Sequence, residues 1–303
     1  MSKKEPIRHH YVPQFILRNF CDDNGYVNYF NKNTNIIALR EPRDIFMERN
    51  LYRDQVNYPE NPTKIETDLA KYEREVSQII KLKFLNGDKV ILTKEEDEKL
   101  RLFFAIMGFR SHNTMLQFGG SLTKESTEMY FCYQRNGDFQ DMWKQNLGYL
   151  VNCRSTEEVL NHKYIDEPIK IFVMRDVWGL LGLYLVVVEK REEASFIVGD
   201  AYPTMVTGTT VRGIQLPMYS INPISPDRVI LVVGNGVEEV PREVLGFRQT
   251  VLHRPRWNAE EERTILRVKK LYPEEVYKLN QSIANASEKG FVFQKDIFPL
   301  GMH

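Results

Sequence analysis

The chain has 303 residues, 42% hydrophobic and 27% charged, which is enough apolar material for an ordinary buried core and excludes a disordered chain. Lys+Arg and Asp+Glu both number 41, so no global field draws the molecule to nucleic acid or an anionic membrane, and any such binding uses a local patch. The longest apolar run, Val177 to Val188, falls short of the roughly twenty residues a membrane helix needs, and Cys21, Cys132 and Cys153 form no C-x-x-C pair. A cytoplasmic protein with ordinary thiols is expected, without a membrane partner.

The first element follows from Pro13, which suits the opening turn of a helix because its missing N–H costs nothing there. HHY at 9–11 is expected to be extended, and PQFILRNF at 13–20 to form a short helix ending at CDDNG. Tyr26 to Phe30 and Asn35 to Leu39 flank the turn sequence NKNT and predict a β-hairpin. After a loop with Pro59 and Pro62, Thr63 and Glu66 stand at capping-box spacing. Ile65, Leu69, Tyr72, Val76 and Ile79 then recur at helical intervals. Thr93 and Glu96 repeat that signature before Leu100, Phe103, Phe104 and Met107.

Residues 120–160 look helical with weaker patterning. Beyond Pro168, the runs Ile169 to Met174, Leu183 to Val188, Phe196 to Val198 and Val229 to Val233 are rich in β-branched and aromatic residues and predict strands. Residues 273–289 read as a closing helix before FVF at 291–293. The expected class is α+β, with a helical N-terminal half carrying a small hairpin and a sheet-bearing C-terminal half. The chain reads as a single domain over 1–303, divisible into a mainly helical 1–165 and a mixed α/β 166–303.

Several groups of residues could carry chemistry. A helix starting at Pro13 places Gln14 and Arg18 one turn apart, with His9 and His10 just before them, while Ile16, Leu17 and Phe20 face the core. Imidazole could serve as general base and arginine could hold a phosphate, or these groups could simply satisfy backbone carbonyls where the segment tucks into the fold. Glu66 and Glu73 share one side of their helix, and paired carboxylates can hold Mg²⁺. Glu66 already has a structural explanation in the capping box, and Glu73 in solvation. Arg110 falls on the face that should be buried and therefore needs a partner, structural or anionic. Asp200 ends a predicted strand, where catalytic acids often sit and where aspartate also makes ordinary turns. The run RQTVLHRPRW contains Arg248, Arg254, Arg256 and Trp257 and is the best local basic patch for single-stranded nucleic acid, weakened by nearby acids at 243 and 260–262.

HHYVPQFILRNF resembles the hallmark of the mainly bacterial family named domain of unknown function 4238. IETDLAKYE at 65–73, FFAIMGFR at 103–110, FIVGDAYP at 196–203, INPISPDRVI at 221–230 and LNQSIANASEKGFVF at 279–293 match its later blocks in order. The resemblance implies that His9, His10, Gln14, Arg18, Glu73, Arg110, Asp200 and Ser225 are the positions to examine. The family's aspartate block tends to have serine before the acid, where this chain has Gly199. His10-Tyr-Val-Pro is also similar to the first strand of HNH-type nucleases, but the next histidine is His112, so that motif's spacing fails.

Two functions of different kinds fit. One is a metal-dependent, nuclease-like phosphodiesterase acting on RNA or DNA as a defence or toxin effector. In that reading His9, His10, Gln14, Arg18, Arg110 and Asp200 form the catalytic set, Glu73 and Asp200 hold Mg²⁺ or Mn²⁺, and Arg248, Arg254, Arg256 and Trp257 bind nucleic acid. The other is a non-catalytic binding or assembly protein. They are separated by whether the polar residues converge on one cleft. Residues 9–20 are expected to pack with His10, Gln14 and Arg18 lining a seam against the Phe103 to Arg110 helix.

Overall fold

The computed structural model describes residues 8–111, 139–155, 158–159, 184–191, 194–209, 215–234 and 249–294. Strand β1 (Arg8–His10) leads into the short helix α1 (Gln14–Arg18), and the hairpin β2 (Val27–Asn31) and β3 (Ile36–Arg40) follows within one residue of its predicted bounds. Asn35 takes a left-handed φ of 55° at that turn, a conformation asparagine tolerates better than most residues. Strand β4 (Met47–Arg49) pairs antiparallel with β1, setting His9 opposite Glu48 and His10 opposite Met47. Helix α2 (Lys64–Ile79), strand β5 (Lys89–Thr93), helix α3 (Lys94–Phe109) and helix α4 (Phe139–Asn152) complete the first half.

The expected helical N-terminal half is therefore corrected. Five strands, β1 to β5, lie among the described residues of that half, in three different sheets, with the long helices confined to stretches at 64–109 and 139–152. The physical reason is that β1 and β4 are three residues each, too short to show alternation, and are defined by pairing with each other. Strand β5 does alternate, with Val90 and Leu92 buried between exposed neighbours.

The second half is sheet-rich. Strands β6 (Tyr184–Lys190), β7 (Val198–Gly199), β8 (Thr204–Thr209), β9 (Gln215–Pro223), β10 (Arg228–Val233), β11 (Arg256–Asn258), β12 (Arg263–Arg267) and β13 (Lys269–Leu271) precede helix α5 (Pro273–Ala286) and strand β14 (Gly290–Phe293). A five-stranded sheet runs β13-β6-β10-β9-β8, antiparallel except for the parallel β13–β6 pair. Its central strands are apolar on both faces. Leu185, Val187, Ile230 and Val232 point into the core shared with α2, α3 and α4, whereas Val186, Val188, Val229 and Leu231 point into the core under α5. Double burial is why YLVVV and VILVV read as continuous hydrophobic runs instead of alternating ones.

Two further sheets take strands from both sides of residue 165: β5 pairs with β12, and β14 inserts between the hairpin strand β2 and β7. Residue 28 thus lies opposite residue 293 in the ladder. No helix among the described residues is long and apolar enough to cross a membrane. The predicted strand Ile169 to Met174 and Arg248 lie outside the described residues, as do residues 120–138 of the weakly helical stretch.

A cleft between the N-terminal segment and helix α2

The N-terminal segment is fixed by apolar burial: Tyr11, Val12, Ile16, Leu17 and Phe20 are all at most 2% exposed. Phe15 packs on Phe103 with ring centroids 6.0 Å apart. Burying such side chains contributes roughly 1.5–3 kcal/mol each, enough to hold a short helix that would not form alone. Its polar residues face the other way. Gln14 Nε2 lies 3.0 Å from His10 Nδ1, and Arg18 Nη2 donates to Gln14 Oε1 at 2.8 Å, so the amide is oriented with its N–H₂ toward an unprotonated ring nitrogen.

Opposite stands helix α2. Glu66, Ala70, Glu73 and Ser77 recur at 4-, 3- and 4-residue steps, forming one polar or small stripe beside the apolar positions Ile65, Leu69, Tyr72 and Val76. Between stripe and segment lies a cleft of about 320 Å³, to which His10, Gln14, Phe15 and Arg18 contribute from one side, and Glu66, Leu69, Glu73 and Arg74 from the other. The predicted seam therefore exists against α2. Helix α3, against which the seam was expected, does not line the cleft; it reaches the segment through Phe103, packed on Phe15, and through the buried Arg110 at its C-cap.

Arg110 is 1% exposed. Its Nη1 donates to Glu73 Oε1 at 2.6 Å, its Nη2 to the His10 carbonyl at 3.0 Å and its Nε to the Tyr11 carbonyl at 3.2 Å. Burial works against the charge, but Tyr52, Glu73 and Glu66 outweigh it and the guanidinium pKa is raised. This one side chain ties α2, α3 and β1 together and explains the partner that its position on a buried face required.

The cleft also changes the titration of two groups. Burial lowers the His10 imidazole from 6.5 to about 4, helped by Arg110 and Arg18 and opposed by the carbonyls of Pro42 and Arg43, so it is neutral at pH 7. Burial raises the Glu66 carboxyl from 4.5 to about 7, with Glu73 adding to it and Arg110 working against it. The capping-box explanation for Glu66 is corrected: Thr63 makes no side-chain cap, and its carbonyl instead accepts from Thr67 Oγ1. Thr93 and Glu96 do form the reciprocal pair. Glu66 is thus left without a hydrogen-bond or ion-pair partner among the described residues, facing the cleft.

The remaining predicted residues lie elsewhere. His9, in the middle of β1, is fully buried; its Nδ1 accepts from Tyr52 N at 2.8 Å and its ring stacks on Tyr52. Asp200 is 6% exposed and accepts from the backbone N–H groups of Glu288 (3.0 Å) and Lys289 (2.7 Å), bracing the turn between α5 and β14. Burial raises its carboxyl despite those bonds. Glu73 is engaged by Arg110, and no group of three His, Cys, Asp or Glu is arranged to hold a metal among the described residues. Ser225 Oγ accepts from Arg228 N at 3.1 Å in the β9–β10 turn. Arg254 lies over the Tyr184 ring, while Arg256 and Trp257 are exposed on β11, an edge strand. Glu66 was weighed in the sequence with Glu73 and set aside for the capping box, whereas Arg74 and Ser77 were missed; the polar stripe on α2 was the signal for Ser77.

A model of the family described as protein of unknown function (DUF4238) matches residues 8–297. The chain belongs to this family. The DUF4238 match spans both walls of the cleft and Arg110. No curated protein and no solved structure matches the chain.

Proposed function

We propose that the cleft is the active site of a nuclease-like phosphodiesterase acting on RNA or DNA. The observation that carries this reading is the meeting, in one cleft, of a carboxyl poised near neutrality (Glu66), a neutral imidazole (His10) and two exposed guanidinium groups, Arg18 and Arg74. Neither arginine has an acidic partner among the described residues.

Hydrolysis of a phosphodiester removes a proton from the attacking water and delivers one to the oxygen that leaves as its bond to phosphorus breaks. Glu66 gives the second proton. The His10 nitrogen takes the first when substrate draws the Gln14 amide off the ring. Arg18 and Arg74 bind the non-bridging oxygens, and Glu73 keeps the Arg110 charge compensated beneath them. The proton taken by His10 returns to Glu66 through solvent, which resets the site. In this reading the protein acts in the cytoplasm, as a toxin or defence effector would.

The test is incubation of the full chain with end-labelled RNA and DNA, in chelator and in Mg²⁺ or Mn²⁺. Cleavage that is lost in both Glu66→Gln and His10→Ala supports the reading, and undiminished cleavage by either variant contradicts it.

One observation favours the non-catalytic alternative. Strand β3 is an edge strand that exposes Ile36 (59%), Ile37 (59%) and Leu39 (60%), a pattern that invites association. A concentration-dependent mass in solution together with no cleavage of either nucleic acid would select that reading.

A further inference from the structure

The size and lining of the cleft restrict which part of a nucleic acid can enter. At about 320 Å³ it lies at the small end of the roughly 300–1,000 Å³ range of ligand sites. Its walls are mixed, with His10, Gln14, Glu66 and Glu73 as the polar share. Phe15, Leu69 and Ala70 supply apolar surface, and the Phe15 ring is held from behind by Phe103 at 6.0 Å. The charges sit at the rim, where Arg18 and Arg74 are exposed, while Ser77 Oγ donates to the Arg74 carbonyl at 2.8 Å and so packs beside the base of that side chain. An aromatic ring in the same small cleft as two exposed guanidinium groups matches one planar base with its flanking phosphate. A base pair is about twice as large as a single base, too wide for a cleft of this size.

We infer that the cleft accepts a single unpaired nucleotide, with its base against Phe15 and its phosphate on Arg18 and Arg74, so that the substrate is single-stranded. This rests on the phosphodiesterase reading for its chemistry but not for its binding geometry. Base-on-aromatic contact tolerates any base, so discrimination between strand states exceeds discrimination between sequences. Each guanidinium on a phosphate releases a counterion, which makes the affinity depend on salt.

The experiment measures fluorescence anisotropy of a labelled single-stranded oligonucleotide, and of the same sequence as a blunt duplex, titrated with full-length protein in chelator at several salt concentrations. The uncleaving Glu66→Gln protein is the reference. Single strand is expected to bind at least roughly tenfold tighter than duplex. Arg74→Ala, at an exposed position that does not disturb the core, is expected to weaken it roughly tenfold and reduce the salt slope by about 0.7. Phe15→Leu, which keeps the segment packed, is expected to weaken it several-fold with the salt slope unchanged. Equal binding of duplex and single strand, or full affinity in both Arg74→Ala and Phe15→Leu, would overturn the inference. The two claims fail separately. Wild type that cleaves single strand and duplex alike removes the inference and leaves the phosphodiesterase reading. Wild type that binds single strands through Arg74 but cleaves nothing removes the reading and leaves the inference.

Discussion

Replacing Glu66 and His10 by glutamine, one at a time, is expected to tilt the pH dependence of stability in opposite directions. Burial moves the Glu66 carboxyl from 4.5 to about 7, equivalent to about 3 kcal/mol. Between those values the unfolded chain has released a proton that the native state still binds, so stability falls as pH rises through the window and the whole cost is present above it. His10 does the reverse. Its imidazole moves from 6.5 to about 4, so below 6.5 the unfolded chain takes up a proton the native state refuses, and stability falls as pH drops toward 4. The ring is only partly buried, which reduces its contribution to about 2 kcal/mol.

Across the shared window the two slopes oppose each other and largely cancel in the wild type. Glu66→Gln removes one slope: relative to wild type it is expected to gain nothing near pH 4.5 and about 2–3 kcal/mol by about pH 8. His10→Gln removes the other and gains about 2 kcal/mol near pH 4, on top of a pH-independent loss of the Gln14 contact. Denaturant unfolding at half-unit pH steps, with ΔG extrapolated to water, measures both curves. A constant offset between Glu66→Gln and wild type over this range would refute the placement of Glu66 as a part-buried, unpartnered carboxyl.

Three further outcomes follow from the packing. Glu73→Gln leaves the buried Arg110 uncompensated and is expected to cost about 3–5 kcal/mol, read as a melting temperature lower by roughly 5–8 °C. Gly199→Ala would set a Cβ 2.0 Å from Ser287 Oγ and 3.0 Å from Ile283 Cγ2, so a loss of about 1–3 kcal/mol is expected by denaturant unfolding, partly restored by adding Ser287→Ala. Phe15→Ala should lower the melting temperature markedly, by about 2–3 kcal/mol of lost packing, whereas Gln14→Ala should leave it nearly unchanged because its partners are cleft side chains.

How much of this was legible depended on whether the cause was local. Helices α2 and α3 were visible in the spacing of Leu69, Tyr72 and Val76 and of Leu100, Phe103 and Met107, because one amphipathic face shows itself within a few turns. The β2–β3 hairpin was visible in its turn. Strands β1 and β4 were not, because each is held by a partner some forty residues away, and the insertion of β14 beside β2 spans nearly the whole chain. In the site, Arg110 announced itself as a charge on a buried face, and Glu73 is its partner. Glu66 was hidden by a local pattern it does not obey, since Thr63 leaves the cap unmade in the folded chain. For Asp200 the sequence left a site role and a turn role open, because a carboxylate at a strand end looks the same whether it faces a cleft or, as here, accepts from two backbone N–H groups. Gly199 has a local reason, because Ser287 occupies the space a side chain there would need.

The most direct test of the central claim is the single-turnover cleavage rate of a labelled single-stranded RNA by wild type and by Glu66→Gln at saturating protein. Measurable wild-type cleavage that drops by about 10²-fold or more in Glu66→Gln, with binding of the RNA retained, is the expected result. Cleavage by Glu66→Gln at the wild-type rate, or a wild type that binds RNA and leaves it intact, would contradict the assignment of the cleft as a phosphodiesterase site.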